Sequence, residues 1–154
     1  MNPEYLEIVK QGREAIAAWR AGRDPAELDL SGADLSGADL AGANLSGTNL
    51  TRCDLRGARL SEADLSNCNL YRANLTGADM RRAIVTRTNA VGCDLTDADL
   101  TDANLYRLNL RKANITGANF TRARKLKMVW PHVSSVKGRA VQEGTWQKPG
   151  QNPK

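Results

Sequence analysis

From Leu30 to Phe120 every residue whose number divides by five is apolar, and no insertion breaks the count. The centres are Leu from 30 to 75, then Met80, Val85, Ala90, Leu95, Leu100, Leu105, Leu110, Ile115 and Phe120. Two places before most centres stands a small residue, as in Ala33, Ala38, Ala43, Thr48 and Cys53. Asp or Asn usually fills the place between (Asp34, Asp39, Asn44, Asn49), and glycine is frequent two places after the centre (Gly32, Gly37, Gly42, Gly47). A period of five fits neither a helix at 3.6 residues per turn nor a strand at 2. On a helix these leucines would spread round every side and bury nothing together.

A coil with sides of five residues satisfies the pattern. Each side is a short extended piece that points its centre and its small residue inward, followed by a turn. Smallness is required where the sides converge on a narrow axis. Glycine supplies positive φ at the turn, and the outward Asp or Asn can bond nearby backbone at the corner. Coils stacked about 4.8 Å apart pair as strands do, leaving the first and last coils as edges that need covers. An aromatic content of only 5% agrees with a core of aliphatic and small side chains.

The run Leu28-Asp29-Leu30-Ser31-Gly32-Ala33-Asp34-Leu35-Ser36-Gly37-Ala38-Asp39-Leu40 resembles the pentapeptide-repeat family, and the likeness extends over about residues 28–124. The resemblance implies an all-β solenoid, a right-handed quadrilateral β-helix with four pentapeptides per coil. Residues twenty apart then stack in columns. The chain divides into residues 1–27, an N-terminal capping α-helix and linker; 28–124, the β-helix; and 125–154, a C-terminal cap and irregular basic tail. Cys53, Cys68 and Cys93 all take the small inward place. Cys53 and Cys93 share a column but stand two coils apart, roughly 9.6 Å, beyond disulfide reach. They read as inert core thiols.

Residues 2–21 read as one amphipathic helix. Asn2 suits the N-cap and Pro3 the first helical place, with Gly22 as the stop. Tyr5, Val9, Gly12, Ile16 and Trp19 form its stripe, and its expected role is to cover the first coil. The register weakens at residues 83–91, where Ile84 and Val91 take outward places and Ala90 underfills a centre; Leu108, oversized in the next coil, can restore that volume. Tyr71, Val91 and Arg111 fall in one column, so Tyr71, Ile84, Val91 and Arg111 form a candidate contact patch. After Phe120 the register is expected to fail, because Arg124 and Lys125 fall where Asp/Asn and Leu belong.

Charge separates the segments. Residues 1–27 and 28–120 each carry a net charge of −1, while residues 121–154 carry +7. Arg52, Arg72 and Lys112 align along one edge, Arg82 and Arg122 along another, and Arg124, Lys125 and Lys127 begin the tail; the candidate basic surface is Arg52, Arg72, Lys112, Arg122, Arg124, Lys125 and Lys127. A basic tail with Trp130 and Trp146 can meet nucleic acid or an anionic surface.

Chemistry is not indicated. The single histidine, His132, has no partner of known role, and Asp97, Asp99 and Asp102 read as a solvated face. No phosphate loop, dinucleotide fingerprint or metal spacing occurs, so neither an enzyme nor a cofactor is expected. Without a secretory leader or an 18-residue apolar run, the expected address is the cytoplasm, with no membrane span. The first expectation for function is a scaffold for a protein partner, as monomer or end-to-end homodimer, as in bacterial members with a short N-terminal helix. Other members of the family bind DNA gyrase as acidic DNA mimics with Phe centres. This near-neutral solenoid, with Phe120 its only phenylalanine, departs from them. A third expectation is a nucleic-acid or anionic-membrane tether through the tail.

Overall fold

The computed structural model describes residues 3–124 and 127–130. Parallel bridges join residue i to residue i+20 without a slip, from Asp29↔Asn49 through Asp64↔Ile84 to Asn109↔Val129. The solenoid coil is therefore twenty residues long. Each extended piece contributes one bridging residue between turns, so the ladder is built from isolated bridges and no long strand forms.

The main chain carries the fold. In the first coil the Leu30 amide donates to the Asn49 carbonyl at 2.9 Å, Gly32 to Thr51 at 2.9 Å, and Asn49 back to Leu28 at 3.2 Å. The corner closes when the Ala33 amide donates to the Leu30 carbonyl at 2.9 Å. Its third residue alone has positive φ, as a type II turn demands. This recurs at every fifth residue from Gly32 (φ 70) to Lys127 (φ 59). Four such corners fall in each twenty-residue coil, giving it four sides. Glycine holds only some corners. Arg52, Glu62, Arg72 and Lys112 adopt the same left-handed backbone, with φ between 56 and 61.

The Asp and Asn residues bond the corner as expected. The Asp29 carboxylate accepts the Ser31 amide at 2.9 Å, and the Asn74 side-chain oxygen accepts that of Thr76 at 3.1 Å. Centres and small residues fill the axis and are buried from Leu28 to Phe120 apart from the half-buried Ala38, while Ala123, Met128 and Trp130 are partly buried. A polar small residue is tolerated inside because it reaches a centre carbonyl of the preceding coil. Thr88 Oγ1 donates to the Leu65 carbonyl at 2.7 Å, and Cys53 Sγ to that of Leu30 at 2.8 Å. Ala90 and Leu108 are both buried in successive coils, where the Ala90 amide donates to the Asn109 carbonyl at 2.9 Å.

Two expectations need correction. The N-terminal segment is two helices, α1 (Pro3–Lys10) and α2 (Arg13–Arg20), followed by a 3-10 turn (Pro25–Glu27). Gly12, at φ 87 and ψ −167, breaks the helix. The break lets Val9 of α1 and Ile16 and Trp19 of α2 all join the core, with Tyr5 packed on the Trp19 ring at 5.1 Å. Arg20 clamps α2 to the first coil by donating to the Ser46 carbonyl and, at 3.4 Å, to Thr48 Oγ1. Asn2 lies outside the described residues. At the other end the backbone register does not fail after Phe120. Arg124 bridges Asn104 and Val129 bridges Asn109, while Met128 and Trp130 pack on the core. Trp130 takes a centre place, its ring 5.5 Å from that of Phe120. Main-chain bonds propagate the coil even where the side chains no longer match the repeat.

Ile16→Ala should cost about 2–5 kcal/mol in urea unfolding, as for other buried aliphatic truncations. Hydrogen exchange should quicken first at Leu30 and Leu35, and exchange spread evenly over all coils would show that α2 does not act as a cap.

Candidate interaction surfaces

Outward side chains twenty residues apart lie one coil apart, about 4.8 Å. Tyr71, Val91 and Arg111 share such a column; the first two are half-buried and Arg111 is exposed. Elsewhere this place holds mostly Ser or Thr. The Arg72 guanidinium lies 5.1 Å from the Tyr71 ring centre. Ile84 stands in a different column, bridging Asp64 and Asn104, and is 40% exposed. One whole side of the coil separates it from Val91, so the structure brings together three of the four patch residues. Ile84 is also one of the few bridging residues with no side-chain oxygen to bond its corner.

The basic residues divide likewise. Arg52, Arg72 and Lys112 occupy one corner column, with the Arg72 Cγ 3.5 Å from where a Gly92 Cβ would stand. Arg122 belongs to the corner diagonally opposite and is paired there. Its Nε and Nη2 donate to Asp102 Oδ1 and Oδ2, each at 2.7 Å. Arg82 pairs with Glu62 at 2.8 Å, so that corner reads Glu62, Arg82, Asp102, Arg122 in alternating sign. The Arg122 hydrogen bonds hold the Asp102 carboxyl below its ordinary range, with Arg82 adding attraction. Ser61, Glu62, Arg81, Arg82, Thr101, Asp102 and Arg122 line an open groove of about 390 Å³. Arg124 and Lys127 are exposed near the end of the coil, and Lys125 lies outside the described residues.

Other arginines are also neutralised locally: Arg56 by Asp54 at 2.6 Å, Arg59 by Asp39 at 2.8 Å, and Arg81 by Asp79 at 2.7 Å. Asp97, Asp99 and Asp102 do not converge. Asp99 accepts the Thr101 amide at 2.9 Å, Asp102 is held by Arg122, and the Asp97 carboxylate fills the space beside Gly117. Among the described residues no group of three His, Cys, Asp or Glu could hold a metal ion. His132 lies outside them. Among the described residues no helix is long and apolar enough to cross a membrane.

Burial pushes the Cys53 thiol up to about 11 and those of Cys68 and Cys93 to about 12. These thiols are free and stay protonated inside the rod. Because folding raises their pKa, their contribution to stability is complete below the unfolded value of about 8.5 and falls as pH rises towards the folded values. Native protein should resist thiol-directed alkylation at pH 8 and react fully in denaturant. Its urea midpoint should fall between about pH 9 and 12, less steeply in Cys68→Ala. Rapid alkylation of folded protein would contradict this placement.

Twenty-residue coils with inward centres and outward columns define a β-solenoid repeat protein. The chain belongs to the pentapeptide-repeat family: the family model for pentapeptide repeats matches eight copies, over residues 29–67, 48–87, 58–97 and 93–124. A pentapeptide repeat protein from the thylakoid lumen of Arabidopsis thaliana is 31% identical, with 66% of this chain and 72% of that one covered and a TM-score of 0.61. The pentapeptide repeat protein Rfr23 from the cyanobacterium Cyanothece 51142 is 34% identical over 64% of this chain and 63% of its own, with a TM-score of 0.38. QnrB1, a plasmid-mediated fluoroquinolone resistance protein, is 24% identical over 58% and 56%, with a TM-score of 0.46. The last two alignments span less than two thirds of those proteins. No curated protein matches the chain.

Proposed function

We propose that this protein is a non-catalytic scaffold, coiled in the right-handed sense of its family, that presents fixed side-chain columns to a protein partner. The observation that carries this reading is Ile84. A 40%-exposed isoleucine occupies an outward place where nearly every other repeat has a corner-bonding Asp or Asn. The apolar side chain forgoes that local bond, and binding to a partner would recover its burial. Val91 and Tyr71, one side further round, supply more apolar area beside arginine. Rigidity supports the role, because a laddered backbone loses little freedom when its surface is covered. Imitation of DNA receives less support, since a mimic needs a continuous acidic face and Asp39, Asp54, Glu62, Asp79 and Asp102 are each paired with an arginine. Gyrase supercoiling should be unaffected at micromolar protein.

Capture from nuclease-treated extract should retain a defined protein in the presence of about 0.5 M salt, where contacts between exposed charges are screened. Ile84→Asp with Val91→Asp should abolish that capture while leaving the circular dichroism and the urea midpoint within about 1 kcal/mol of the parent, as for surface changes. Unchanged capture by the double variant would remove Ile84 and Val91 from the interface.

A further inference from the structure

Acids and arginines neutralise one another over much of the rod, but one side has no such balance. The side centred on Leu50, Leu70, Ala90 and Leu110 faces outward with Asn49, Asn69, Asn89 and Asn109. Arg87, Arg107 and Lys127 stand at the corner before it. Arg52, Arg72, Arg111 and Lys112 stand at the corner after it, and all seven cations are exposed. Among the described residues none of their side chains enters an ion pair or a hydrogen bond. Asp29 and Glu27 lie at the foot of these columns, and no acid occurs in them above the first coil.

The arrangement is costly without a ligand. Arg87, Arg107 and Lys127 are stacked in successive coils, and like charges directly opposite across a ladder repel. The same scaffold accommodates alternation, as Glu62, Arg82, Asp102 and Arg122 show at another corner. An anionic polymer laid along the side would relieve the repulsion. From Arg52 to Lys112 the basic corner runs three coil steps, about 14 Å at the spacing of paired strands. Between the two corners the Asn ladder offers neutral amides, with Asn89 Nδ2 donating to Asn69 Oδ1 at 3.1 Å. Val129 and Trp130 lie on this same side, and the sequence continues into residues 131–154 with four basic residues and one acidic.

Two features distinguish a phosphate polymer from an acidic peptide. Five of the seven cations are arginine, whose fork matches phosphate oxygens in pairs. Each corner also carries a tyrosine with a guanidinium over its ring, Arg72 on Tyr71 at 5.1 Å and Arg107 on Tyr106 at 5.3 Å. Planar groups of this kind stack on unpaired bases and have nothing comparable to offer a carboxylate.

We propose that this side of the solenoid binds the phosphate backbone of a single-stranded nucleic acid, with Tyr71 and Tyr106 as its stacking platforms. It lies apart from Ile84 but shares Tyr71 and the Val91 corner with the surface proposed for the protein partner, so the two ligands would compete there.

The test is fluorescence anisotropy of a fluorescein-labelled oligothymidylate with the full chain, titrated at several salt concentrations. Binding should weaken with salt. Arg72→Gln, Arg107→Gln and Lys112→Gln together should reduce affinity at least tenfold and flatten the salt slope by about two, since each single-strand phosphate contact contributes about 0.7. A charge-matched control, Arg56→Gln, Arg59→Gln and Arg81→Gln, removes paired arginines elsewhere and should stay within about threefold of the parent. Tyr71→Ala with Tyr106→Ala should weaken binding while leaving the salt slope unchanged. Circular dichroism of each variant establishes that it is folded. Equal losses in both arginine triples, no binding by the parent chain, or equally tight binding of labelled polyglutamate would each overturn the proposal. The last result would reassign the side to an acidic protein.

Discussion

Everything outward on this molecule is positioned by the main-chain ladder between coils. Because the amide of each centre donates to the carbonyl nineteen residues later, the register of twenty is a backbone property, held at 2.7–2.9 Å from Leu30 through Leu110. Leucine centres supply the driving force for burial, but they do not choose the register alone, since any multiple of five would put leucine on leucine. The four corners per coil make that choice. Among the described residues, α1 and α2 pack over the first coil, and Met128 and Trp130 pack on the core at the far end. Aromatic contacts occur at both places: Trp19 against Tyr5, and Trp130 against Phe120.

A fold held by its backbone tolerates drift outside. Arg59, Ile84, Arg124 and Val129 all replace a corner-bonding Asp or Asn, yet the Ile84 amide still reaches the Ala63 carbonyl at 2.9 Å and the Val129 amide that of Leu108 at 2.9 Å. Positive φ at a dozen corners without glycine follows the same logic. A left-handed residue costs about 1–2 kcal/mol, and the surrounding bonds outweigh it. The outward columns are thereby free to serve binding, which is how a repeat with so narrow an interior can carry surfaces as unlike as the alternating Glu62–Arg122 corner and the Asn side, acid-free above its first coil.

Net charge hides this division. Residues 28–120 carry ten basic and eleven acidic groups, a balance that by itself suggests a featureless neutral rod. The columns show otherwise: among the described residues Arg56, Arg59, Arg81, Arg82 and Arg122 are paired with acids, whereas Arg52, Arg72, Arg87, Arg107 and Arg111 are not. Sign alternation along a column depends on residues twenty apart, a separation at which no local motif is visible.

The period of five, the inward places of Cys53, Cys68 and Cys93, and the columns of Tyr71, Val91 and Arg111 were legible in the sequence, because a repeat without insertions turns residue number into position. So was the stripe of Val9, Ile16 and Trp19. The break at Gly12 was not, since glycine within a stripe reads equally as a tolerated helical residue, and only the need to lay two short helices on the first coil decides between them. Nor was the continuation of the coil to Val129 legible. There the side chains depart from the repeat, and hydrogen bonds from a coil already formed determine the path. Sequence alone determined what faces in and what faces out; tertiary structure decided that the coil continues to Val129 and which outward charges are neutralised, because both depend on contacts a full coil away along the chain.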